Sequence, residues 1–111
     1  MDGFVQQLRQ APGGHDHAAC CGVGTPSEAT NAYVAVMDVM HGPMMEGVKD
    51  SDPDAAFVKG MIPHHQGAID MAKVVLQHGK DEQVKKWAAD VIREQQREIT
   101  EMRDWLNRRG K

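Results

Sequence analysis

The sequence predicts an all-α protein, a small bundle of three main helices behind a flexible N-terminal tail. Three observations carry this expectation. Apolar residues recur at three- and four-residue spacing in three long stretches, starting near Tyr33, Phe57 and Val84, which is the period of a helix with one buried face. Each stretch follows cap chemistry, at Thr25-Pro26, Asp52-Pro53 and Asp81. There a short polar side chain accepts a bond from a free backbone N–H, and proline suits the first helical position. Ahead of all three, Ala11-Pro12-Gly13-Gly14 ends any local order.

The first helix is expected to start at Thr25 as N-cap, with Pro26 at N1 and Glu28 at N3 completing a capping box. Tyr33, Val36, Met37, Met40, His41 and Met44 trace its inner stripe. Gly42-Pro43 is expected to stop or bend it, because proline lacks an N–H and its ring crowds the preceding turn. Residues Glu46 to Ser51 then read as loop.

Asp52 caps the second helix, with Pro53 at N1 and Asp54 adding negative charge to the first turn. Its inner stripe is Phe57, Met61, His64, His65, Ala68, Met71, Ala72 and Val75, running to about His78. Pro63 falls inside it, leaves the Lys59 carbonyl without its usual partner and costs ~3 kcal/mol unless compensated. A kink that aims His64 and His65 would explain that cost; the plainer alternative is a harmless bend. Gly79 is expected as a left-handed C-cap. Asp81 opens a third helix to about Arg108, with a seam of Val84, Ala88, Val91, Ile92, Gln95, Ile99, Met102 and Leu106. Gln95 interrupts the apolar row, either orienting a histidine of the second helix or facing water at a bundle edge. Lys85, Lys86, Arg93, Glu94, Arg97, Glu98, Glu101 and Arg103 read as the solvated face.

A chain of 111 residues builds one core. The expected division is 1–24 as tail and 25–111 as bundle. Thirteen basic against sixteen acidic side chains give a net charge of −3, and no basic stripe interleaves with aromatics, which argues against nucleic acid as partner. No apolar run approaches the ~20 residues a membrane span needs. Met1-Asp2-Gly3-Phe4 lacks the basic start and apolar core of a secretory signal, so the chain as given reads as cytoplasmic unless a leader precedes it. In the tail, Phe4, Val5 and Leu8 suit a short amphipathic turn. His15, His17, Cys20 and Cys21 form a possible accessory soft-metal group, although adjacent cysteines match no structural zinc spacing.

The chemistry gathers in two places. Met61, His64, His65 and Met71 fall on one face of the second helix; Met37, Met40, His41 and Met44, at i, i+3, i+4 and i+7, share a stripe of the first. Six of the 8 methionines and three of the 6 histidines lie in these two stretches. Thioether sulfur and neutral imidazole suit copper, Cu(I) above all, and serve Mg²⁺ or Ca²⁺ poorly. Either cluster alone is consistent with methionine as core filler. Two matching M-x-x-[MH]-H faces predict a His/Met-lined seam between helices.

The run F-x-x-x-M-I-P-H-H-Q-G-A-I-D-M-A, Phe57 to Ala72, resembles the signature of the domain of unknown function 305 family. The resemblance extends from about Pro26 to Gly110 and takes in Met40-His41 and the Gly79-Lys80-Asp81 turn. It implies a ferritin-like helical bundle, mostly exported to the periplasm, with copper bound through Met and His. Metal roles for Met61, His64, His65, Met71, Met40, His41 and Met44 follow from it as expectations.

Three functions compete at this stage. The leading one is a copper-binding protein that buffers, carries or sequesters the ion, with a copper-donor or acceptor protein or a second copy as possible partner. A ferritin-like di-iron oxidoreductase would need Glu-x-x-His pairs on facing helices, and none occurs in the sequence. The third is a Met-rich bundle that only binds partners.

Overall fold

The computed structural model describes residues 27–110, all α-helix and turn. Three helices follow in order: α1 (Glu28–Gly47), α2 (Pro53–His78) and α3 (Glu82–Arg108). The His/Cys group of residues 15–21 lies outside the described residues.

Capping sets the helix starts. Ser27, not Thr25, caps α1, its hydroxyl accepting from the Thr30 N–H at 3.1 Å. The start therefore lies two residues later than expected and puts Glu28 in the first turn. Thr25 and Pro26 fall outside the described residues. Asp52 and Asp81 cap α2 and α3 as expected, accepting from the N–H groups of Asp54 and Val84, each at 3.0 Å. Replacing Asp81 by alanine should lower stability by about 1 kcal/mol, read as a lower urea midpoint with unchanged slope; an unmoved midpoint would show that this cap contributes nothing.

Two turns differ from the sequence reading. α1 does not break at Gly42 but runs through Pro43 to Gly47, and the loop shrinks to the residues before Asp52. Pro43 deletes a single i→i−4 bond, while its fixed φ suits a helix. Val48 N–H closes the last turn on the Met44 carbonyl at 3.1 Å. Gly79 is no left-handed cap: it is extended, with φ −80° and ψ 166°, and its N–H donates to the Val75 carbonyl at 2.7 Å. A short three-residue link to α3 needs extended backbone here, not the reversal that a left-handed residue makes.

α2 lies between α1 and α3, and each of them packs against it. The α2–α3 contact is the apolar core: Ala72, Ala88 and Val91, flanked by Ala68, Val75 and Ile92. The seam expected on α3 is the buried one, and Gln95 belongs to it, 1% exposed. Its amide therefore does not face water, and it is engaged within the fold.

The α1–α2 contact rests on glycine. A Cβ at Gly47 would collide with the Lys59 carbonyl, one at Gly60 would come within 2.8 Å of Val48, and one at Gly67 would strike the Met40 sulfur. Backbone thus approaches backbone at the Gly47–Lys59 crossing. Asp50 holds the intervening turn by accepting from the Asp52 N–H at 2.9 Å and from Lys59 Nζ at 2.8 Å. Other exposed ion pairs are local in sequence, such as Arg97 with Glu94 and Glu101 and Arg93 with Asp90, and contribute little individually.

Candidate metal centre

His65 is the one histidine of the two clusters that α2 buries, 8% exposed. Its Nε2 meets Glu98 Oε1 of α3 at 2.6 Å, and its Nδ1 is buried with no hydrogen-bond partner. A carboxylate accepts but does not donate, so the Nε2–H tautomer satisfies this contact and leaves an Nδ1 lone pair facing inward. A buried imidazole nitrogen without a partner is costly in an apolar setting. It is the kind of atom that a metal ion would satisfy.

Thioethers lie near His65 in the sequence. Met61 is half-buried and one turn before His65 on the same face of α2, in the direction that helical side chains lean. Met71, Met44 and Met40 are half-buried as well. Met40 packs its sulfur against Gly67. Gly67 is two residues beyond His65, ~200° round the helix, so Met40 and His65 occupy opposite sides of α2.

The seam expected between the two clusters is therefore divided. α1 turns Met40 and Met44 toward α2 but leaves Met37, 49% exposed, and His41 on the surface. On α2, His64 and Phe57 are exposed instead of lining the inner stripe. The His64 ring lies 6.2 Å from that of His65, tilted by 59°. Successive residues on a helix diverge by ~100°, and only one ring of an adjacent pair faces the core. Among the described residues no three His, Cys, Asp or Glu side chains gather as metal ligands. A metal ion at His65 would need donors beyond these four residue types, such as methionine sulfur.

Sequence reasoning missed Glu98. It reads as one of the solvated charges, yet it follows Val91 by seven residues and Gln95 by three, which places it at the edge of the α3 seam. That phase was the available signal.

The family described as Domain of unknown function (DUF305) matches residues 1–106. The chain belongs to the DUF305 family. The resemblance carried by Phe57 to Ala72 is correct at that level, and the DUF305 match begins at residue 1, not near Pro26. An uncharacterized protein of Acanthamoeba polyphaga mimivirus is 45% identical over 56 residues, which cover 50% of this DUF305 chain and 37% of the viral one. The matched stretch is thus well under half of that relative's length.

Proposed function

We propose that this DUF305 chain binds copper, as Cu(I), and buffers, carries or sequesters it. The observation that supports the reading best is the buried, unpartnered Nδ1 of His65 with the Met61 thioether one turn away. Imidazole nitrogen with thioether sulfur is a donor set that favours Cu(I) over harder divalent ions. Met71, Met40 and Met44 add half-buried sulfur on α1 and α2, while exposed His64, His41 and Met37 offer accessible donors at which an ion can arrive. The proposal includes a likeness to the periplasmic copper-binding protein CopM, an extracytoplasmic setting, and exchange with a copper-donor or acceptor protein. No helix among the described residues is long and apolar enough to cross a membrane.

An anaerobic titration against a Cu(I) chelator, with Zn²⁺ as competitor, tests this. Cu(I) should bind tightly enough to resist the chelator and should not be displaced by equimolar Zn²⁺. His65→Leu should lose more affinity than the ~10–100-fold typical of losing a ligand's outer hydrogen-bond partner. Zinc competing on equal terms would refute the copper reading. Acidification should weaken binding, because protons compete for imidazole nitrogen while thioethers do not titrate; a flat profile from neutral to clearly acid pH would exclude the histidines as ligands.

A further inference from the structure

The α2–α3 interface has a register that extends beyond its apolar core. Ala72 packs with Val91, and seven residues back along α2 His65 meets Glu98, seven residues forward along α3. The two helices are antiparallel, so one further turn in the same directions sets Met61 level with Met102. Both methionines are half-buried. Met102 continues the α3 seam of Val91, Gln95 and Ile99, all buried, and so lies on the face that α3 presents to α2. Neither Glu98 nor Met102 belongs to the two Met/His clusters of α1 and α2.

We propose that α3 completes the copper centre: Glu98 fixes His65 so that Nδ1 is the coordinating nitrogen, and Met102, opposite Met61, supplies a second thioether. This rests on the copper reading above and adds to it the ligand set and its location, between α2 and α3 and not between α1 and α2. Glu98 is a positioning residue. By accepting the Nε2–H at 2.6 Å it selects the tautomer, holds the ring plane and makes the opposite nitrogen a better donor, as carboxylates behind metal-bound histidines do. His65, Met61 and Met102 then form an N,S,S set, soft and low in charge, which suits a monovalent copper ion at a partly buried interface.

Four forms of the full chain separate the possibilities: the parent, Glu98→Gln, Met102→Leu and, as a methionine control away from the site, Met45→Leu. Met→Leu conserves volume and Glu→Gln conserves shape, and circular dichroism checks that each variant folds. In the apo parent, ¹⁵N chemical shifts of His65 should show the Nε2–H tautomer, with Nδ1 unprotonated; in Glu98→Gln that preference should diminish. Affinity for Cu(I) should fall ~10–100-fold in Glu98→Gln and at least tenfold in Met102→Leu, and X-ray absorption of the loaded Met102→Leu protein should show one fewer sulfur neighbour than the parent. Met45→Leu should match the parent. A parent that binds Cu(I) while Glu98→Gln and Met102→Leu bind it equally well, with unchanged sulfur count, overturns this inference and leaves the copper reading standing. A parent that binds no Cu(I) overturns both.

Discussion

Gly47→Ala should destabilise the protein by about 3 kcal/mol, the upper end of what overpacking a close contact costs. The added methyl would be driven into the carbonyl of Lys59, a backbone group that no rotamer change can move aside. Either α1 must shift off α2 or α2 must bend. The backbone conformation of Gly47 is not the reason, since the only positive φ among the described residues belongs to Gly110. Gly42, five residues earlier in the same helix, provides the internal comparison. It is exposed, nothing outside its own helix backbone and chain neighbours lies within 4 Å of a Cβ built there, and Gly42→Ala should change stability by less than ~1 kcal/mol, because the gain in helix propensity is offset by crowding of the new Cβ against the Pro43 ring. Thermal unfolding should therefore separate the two variants, with Gly47→Ala lower by ten degrees or more at ~4–8 °C per kcal/mol and Gly42→Ala close to the parent. If both alanines raise the midpoint, α1 does not approach α2 as closely as the fold requires.

The same crossing shows which features the sequence made legible. Helix number, the Asp52 and Asp81 caps and the α3 seam depend on residues within a few positions of one another, and local periodicity carries that information. The α1–α2 contact depends on Gly47, Gly60 and Gly67, residues with no side chain to form a stripe. A reading based on apolar spacing took Met37, His41, Phe57 and His64 as inward instead. Glycine lets the helices meet backbone to backbone, which turns α1 relative to that stripe and leaves Met37 and Phe57 in solvent. At the candidate centre, His65 and Met61 were legible as neighbours on one helical face. The Glu98 contact was not, because a glutamate at a seam edge and one in water look alike until the partner helix is placed.

Pro63→Ala is expected to raise apo stability and lower copper affinity together. α2 continues unbroken through Pro63, but Pro63 has no N–H, so the Lys59 carbonyl lacks the bond that residue 63 would otherwise donate. That carbonyl is the group a Cβ at Gly47 would strike, and a glycine Cα–H facing a carbonyl oxygen is a weak but favourable contact. Pro63 thereby affects both ends of one turn: it frees Lys59 toward α1, and it precedes His64 and His65. Alanine restores the internal bond and improves helix propensity by up to ~3 kcal/mol. Against this stand the loss of ~0.4–1 kcal/mol of unfolded-state restriction and the weakened Gly47 contact. A net gain of about 1–2 kcal/mol, several degrees in midpoint, is the expected result for the apo protein. Copper binding should weaken, because tightening the turn rotates His65 relative to Glu98, and a ligand set tolerates little misplacement. The measurement is thermal unfolding of both apo forms beside a competitive Cu(I) titration. Higher stability with affinity equal to the parent would remove any positioning role from the proline and leave it as the seat of α1 alone.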